Sequence, residues 1–181
     1  MSFEKIHCWT KSCTRKLGAE SGQAFFELAL LVPFLCLVMF AIIEYSRALN
    51  MEQILVDLTR QGSNMASRGT ALSTAATSVA QGSAPLSVST AGEVIITSVA
   101  RVNNADTVTG QASSGVLTTA SKIGVNGGKA TVPAAVDDIF THNPSQTVYV
   151  TEIYYPLTQI TPIAKMWGLV LPTTLYQVAY F

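Results

Sequence analysis

Charge is scarce in this chain. Only 12% of its 181 residues are charged, and eleven Lys and Arg balance eleven Asp and Glu to a net charge of zero. Without a concentrated basic surface there is no electrostatic footprint for nucleic acid, so no nucleic-acid partner is expected. Cysteine is as sparse: Cys8, Cys13 and Cys36 all lie near the start. No disulfide framework can therefore hold the later part together, and it must fold by burying apolar side chains. Histidine occurs twice. A hydrolase triad would rest on His142 alone, in "THNPSQ", which reads as a turn. His7, Cys8 and Cys13 in "HCWTKSC" are three loosely spaced donors, short of a closed zinc set. Asp137-Asp138 reads as acids solvating a loop rather than calcium ligands, and "GVNGGK" lacks the spacing and the following Ser or Thr of a P-loop. No metal, cofactor or catalytic residue is expected, and the chain does not read as an enzyme. Aromatics are missing between Tyr45 and Phe140, whereas residues 140–181 hold eight of the fifteen. That clustering predicts that the last forty residues supply most of the core bulk.

What the sequence does have is a long apolar run. Leu28 to Ile43 are sixteen consecutive uncharged residues, almost all Leu, Val, Ile, Phe, Ala or Met. At about 1.5 Å per residue they give roughly 24 Å of helix, and adding Phe25 and Phe26 approaches a ~30 Å hydrocarbon core. A transmembrane segment over about 25–43 is expected, a buried soluble helix being the alternative. Lys5, Lys11, Arg15 and Lys16 upstream outnumber Glu4 and Glu20, which places the N-terminus in the cytoplasm and the long remainder outside. In a secretory signal the apolar region precedes the cleavage site and is discarded. Here the small pair Ser21-Gly22 precedes it, so a cut between Gly22 and Gln23 would keep the helix and make Glu27 the fifth residue of the mature chain.

Gly22, then four residues, then Glu27 at the mouth of an apolar helix resembles the prepilin processing site of type IV pilin-like proteins. The stretch "GQAFFELALLVPFLCLVMFAIIEYSRALNMEQILVDLTRQGSNMAS" is similar to the opening of TadE-like minor pilins (pseudopilins) of the tight-adherence (Tad) pilus, whose "EfAlvlP" pattern is matched by Glu27, Ala29 and Pro33. "TVYVTEIYYPLTQITP" is similar to the family's late strand and Thr-Pro turn, while residues 70–92 carry no likeness. Gln23 departs from the usual first mature residue, and an N-terminal Gln can cyclise. The resemblance implies a minor pilin cleaved by prepilin peptidase and assembled through its helix. It implies as partners other pilins and minor pilins, the peptidase, the inner-membrane assembly platform and membrane lipid. It also implies a single-pass inner-membrane protein with a periplasmic C-terminal domain, later in the pilus or at the cell surface. The other class left open is an uncleaved, membrane-anchored binding or enzymatic domain.

Glu27 is the residue on which assembly or processing is expected to turn. A charge inside a spanning helix costs roughly 2.5–3.5 kcal/mol at the centre. Pairing with a neighbouring subunit's N-terminal ammonium in a filament core would offset much of that penalty, and the positive end of the helix macrodipole favours an anion there. Snorkelling to the interface without a partner is the alternative. Pro33 lacks an N–H and crowds the carbonyl of Ala29, which predicts a kink or local opening; it is either a flexible point or a tolerated membrane proline.

Beyond the apolar run, Ala48, Met51, Leu55, Leu58, Gly62 and Met65 recur at alternating spacings of three and four, one stripe of a continuing helix. Gly69 after Arg68 reads as its end. A helix over 23–68 would be roughly 69 Å long, following a cleaved leader over 1–22. Residues 69–92 are rich in Ser, Thr and Ala and read as a connection, either a linker or a short helix near Ala71–Ala80. From 93 to 181 the signals are β: "EVIITSVARV", "TVYVTEIYY" and "TLYQVAYF" are strong strand candidates, "DTVTGQASSG" is weaker, and "VNGGKATV" holds a Gly-Gly turn. The expected fold is α+β, a small antiparallel sheet packed on the outer half of the long helix.

Overall fold

The structure is a computed structural model. It describes residues 7–158, 160 and 172–181, with side chains from Gly22 onward. The side chains of His7, Cys8 and Cys13 and the turn expected at Thr161-Pro162 lie outside the described residues. The chain divides into two compact units, one running up to Tyr45 and the other built from Ser46–Ile160 and the C-terminal strand. The class is α+β: a long apolar helix and a four-stranded antiparallel sheet packed against helices.

Helix α1 spans His7–Ser67. It thus starts upstream of Gln23, because the leader contains no proline and is rich in residues that favour helix. Its end follows from Gly69, whose φ of +88° is open to glycine at little cost. Thr70 N–H donates to the Met65 carbonyl at 3.2 Å and Gly69 N–H to Ala66 at 3.0 Å, the paired bonds of a Schellman cap. Helix α2 (Leu72–Gln81) and the single turn α3 (Val88–Ala91) occupy the connection.

Strands β1 (Glu93–Val102) and β2 (Ala105–Gly115) form a hairpin. Asn103 and Asn104, both at positive φ (51° and 63°), make the two-residue turn whose twist matches paired strands. The pairing slips by one residue at Ser98/Val99, leaving Thr109 as a bulge. β3 (Thr147–Pro156) pairs with β1, and β4 (Thr174–Tyr180) with β3, so the order is β2-β1-β3-β4 with every pair antiparallel.

Alternation divides the strands between two faces. On one face Val94, Ile96, Ile153 and Leu175 join Met51, Leu55 and Leu58 of α1 and Ala75, Ala76, Val79 and Ala80 of α2 in a buried cluster. Leu55 is fully buried and Leu58 is 4% exposed, while Met65 packs half-buried at the margin. Gly62 is small because α1 approaches β3 closely there: an added Cβ would stand 2.8 Å from Thr151 Oγ1 and 2.9 Å from its Cγ2. At the next residue, the buried Ser63 hydroxyl bonds Thr151 Oγ1 at 2.9 Å and the Ala179 carbonyl at 3.0 Å. The other face carries Val99, Val108, Val148 and Val150 beneath Ile123, Ala130, Val136 and Phe140.

Three expectations are corrected here. Residues 134–142 form a helix, α4 (Ala134–His142), because Val136 and Phe140, four residues apart, anchor one face of it on the sheet. Asp137 and Asp138 therefore sit on a helix rather than in a loop, and His142 closes that helix rather than opening a turn. The aromatic C-terminal segment is also not the main source of core bulk among the described residues. Phe140 and Tyr154 are buried, but Tyr149, Tyr155, Tyr176 and Tyr180 are half-exposed and Phe181 is 58% exposed. The interior is chiefly Ala, Val, Leu and Ile from α1, α2 and β1, whose small side chains allow helix and sheet to approach closely.

Leu58→Ala in a fragment beginning near Arg47 should lower unfolding free energy by about 2–5 kcal/mol, the range for deleting a buried leucine side chain. Chemical denaturation checks this; a loss below about 0.5 kcal/mol would mean that Leu58 contributes nothing to the core.

Candidate functional site

The residues singled out in the sequence fall into two groups. Met51, Leu55, Leu58 and Met65 are committed to the chain's own core. Gly22, Gln23, Glu27 and Pro33 lie on a stretch of α1 whose surface is open. Over its most apolar eighteen residues none is buried. Phe25 is 74% exposed, Phe26 69% and Leu30 70%. So large a continuous apolar surface is not stable in water and requires lipid or other apolar helices around it.

Glu27 interrupts that surface. Among the described residues its Oε1 accepts one hydrogen bond, from Gln23 Nε2 at 3.2 Å across one helical turn. Phe26, Leu30, Leu31 and Phe34 form a shallow apolar cleft around it. A single neutral amide cannot replace the hydration that a carboxylate loses in an apolar surround, so the site favours a cation. Gly22 has open space where a Cβ would stand, so no described residue requires glycine there. The helix runs without interruption through Pro33. Pro33 gives the Ala29 carbonyl no N–H donor. Cys36 is exposed and free.

Elsewhere the chain holds a polar cluster that the sequence did not announce. Glu152, at the centre of β3, is fully buried. Its Oε1 accepts from Lys122 N–H at 3.0 Å, Tyr176 Oη at 3.0 Å and Tyr154 Oη at 3.1 Å, and its Oε2 accepts from Ser121 Oγ. Nearby, Glu93 Oε2 accepts Thr119 N–H at 2.7 Å, and Lys122 Nζ stands 3.5 Å from the centre of the Tyr176 ring. These bonds fasten the segment after β2 onto the sheet and satisfy the buried carboxylate. Burial and the adjacent Glu152 carboxylate push the hydroxyls of Tyr154 and Tyr176 well above the usual tyrosine range. The signal available in the sequence was a lone carboxylate within a run of β-branched and aromatic residues.

A second polar group clamps α4. Arg101 donates to Asp106 Oδ1 at 2.9 Å, to Asp137 Oδ1 and to Thr141 Oγ1 at 3.2 Å, and its guanidinium lies 5.8 Å from the centre of the Phe140 ring. The hydrogen bond to Asp106 is the main reason that Arg101 holds its proton even more strongly than usual. Asp138 sits 3.5 Å from the exposed His142, one turn along. No group of three or more potential metal ligands converges among the described residues.

Together these features define an α+β protein with one helix, among the described residues, long and apolar enough to anchor it in a membrane, and with the carboxylate of Glu27 near the start of that anchor. In comparison with known proteins, residues 22–64, the anchor and most of the packed stripe, match the family model described as TadE-like protein. The match opens at Gly22, takes in Glu27 and Pro33, and ends within the packed stripe. No curated protein and no solved structure matches the chain.

The tyrosine–carboxylate cluster gives a pH test. Folded Tyr154 and Tyr176 keep protons that an unfolded chain releases near pH ~10, so their contribution is complete below about pH 10 and is lost as pH rises beyond it. The melting temperature should fall more steeply above that pH in the wild type than in a Tyr154→Phe/Tyr176→Phe variant. Equal slopes would show that the hydroxyls are not held by Glu152.

Proposed function

We propose that this chain is a minor pilin of a Tad-type pilus. It is made as a precursor, cut by prepilin peptidase between Gly22 and Gln23, and assembled through α1. The observation that carries this reading is Glu27: a carboxylate on an otherwise apolar, open helix surface, five residues after Gly22, within the stretch that matches the TadE-like family. Cleavage would create an ammonium at Gln23, in the same turn of helix as the carboxylate. When such helices leave the bilayer and pack together, the ammonium of one subunit supplies a cation to Glu27 of another, at a helix end whose dipole already favours an anion. The exposed Phe, Leu, Val and Ile side chains would serve lipid first and neighbouring helices afterwards.

In this role the N-terminus lies in the cytoplasm and the sheet domain in the periplasm. The partners are prepilin peptidase, the inner-membrane assembly platform, and other pilins and minor pilins. The folded domain following α1 suits a minor subunit rather than a small major pilin, which has little beyond its helix. No catalytic role is assigned to that domain.

Glu27→Gln separates assembly from anchoring. The variant keeps size and hydrogen bonding but removes the charge, so membrane insertion should be unchanged or slightly easier. It should still be cleaved, yet its recovery in crosslinked complexes with other pilins should fall at least tenfold, a factor worth about 1.4 kcal/mol. Wild-type recovery of those complexes from cells producing Glu27→Gln would refute the pairing.

A further inference from the structure

The two edges of the sheet are treated differently by their own chain. The outer edge of β2 is closed over its first residues: Val108 N–H donates to Gly128 at 3.0 Å, its carbonyl accepts from Gly127 at 2.9 Å, and Ala130 N–H donates to Asp106 at 2.7 Å. Thr107 also bridges to Lys129. At the opposite edge, Phe181 and Tyr149 exchange both backbone bonds at 2.9 Å, which sets the phase of β4. By the antiparallel pattern Leu175, Gln177 and Ala179 bond to β3, while the N–H and C=O groups of Tyr176, Val178 and Tyr180 point outward. Among the described residues these outward groups have no backbone partner. β4 also lacks the charge, proline or bulge that commonly blunts an open edge.

An open groove runs between this edge and α1, lined on the helix side by Asp57, Arg60, Gln61 and Asn64. Neither Asp57 nor Arg60 has an ion pair among the described residues. A strand added to β4 would place alternate side chains beside Tyr176, Val178 and Tyr180. Its remaining side chains would face the groove, spaced by about 6.6 Å, against a rise of about 4.5 Å along the helix from Asp57 to Arg60.

We propose that β4 is a docking edge for an extended strand of a different protein chain, one that alternates apolar residues with a basic and an acidic residue two positions apart. The apolar set continues the tyrosine–valine surface, and the charged pair answers Asp57 and Arg60. A second copy of this chain does not meet that description, because its β4 would bring the uncharged Gln177 and Ala179 to the groove. Backbone bonds supply the binding and the two charges select the partner. The pilin assignment enters only in where the partner is sought, in the membranes of the pilus-producing cell.

Amide hydrogen exchange of the full-length protein tests this, comparing native membranes with dilute purified protein in detergent. In membranes, exchange at Tyr176, Val178 and Tyr180 should slow at least tenfold, with no change at Leu175 and Gln177, whose amides β3 already holds. Val178→Pro removes an outward N–H that β3 does not use, and Arg60→Glu reverses a charge on an exposed helix face; either should abolish the slowing at Tyr176 and Tyr180. Equal exchange in the two settings would overturn the proposal, as would protection that survives both substitutions. The same protection appearing in purified protein at high concentration would also overturn it, because the occupant would then be a second copy. The measurement reads occupancy of the edge whatever the partner is, so its failure is distinguishable from failure of the pilin assignment, which Glu27→Gln tests.

Discussion

The apolar surface at the start of α1 is left open by the described residues. Everything before the sheet domain follows from that constraint. Sixteen uncharged residues in succession would be satisfied in a core, but here all their side chains except the half-buried Leu37 are exposed. A bilayer or a bundle of like helices would bury them. In that setting a carboxylate is expensive unless a cation reaches it. Glu27 is thus both the least favourable residue for a simple anchor and the most informative one. A helix selected only to stay in the membrane would gain by losing it.

The same helix solves a different problem farther along. From Met51 to Ala66 its apolar residues narrow to a stripe, and the stripe is filled by the sheet and α2. Small residues at the contact, Gly62 above all, bring the helix axis close to β3. On the opposite face of the sheet the chain after β2 is held as much by hydrogen bonds as by apolar burial. Glu152 and Glu93 grip its backbone, and Arg101 ties α4 to β1 and β2. A fully satisfied buried carboxylate of this kind holds one arrangement of the loop, and removing it would leave several donors unpaired.

How much of this could be read from sequence depended on whether the signal was periodic. The long apolar helix, its alternating three-and-four stripe and the three strongest strands were legible, because each is a repeat of side-chain chemistry along a regular backbone. β2 was fainter, since "DTVTGQASSG" is mostly small and polar and becomes a strand through pairing with β1. Helix α4 was hidden because nine residues give only one apolar repeat, Val136 to Phe140, and the neighbouring Asp137-Asp138 read as loop. The aromatic cluster misled: an edge strand and its neighbour leave tyrosines half in solvent, whereas close helix–sheet packing favours alanine and valine. At the anchor, the spacing from Gly22 to Glu27 was visible directly. The Glu152 cluster was not, because its donors come from Ser121, Lys122, Tyr154 and Tyr176, which only the fold brings together.

The central claim is that this anchor is processed at its cytoplasmic end and kept, rather than discarded or left whole. Intact-mass analysis of the protein extracted from the membranes of its own cell tests that claim most directly. A chain beginning at Gln23, with Met1–Gly22 gone and the apolar helix retained, is the predicted result. A native protein that still carries Met1–Gly22 would contradict it and leave an uncleaved anchor in its place.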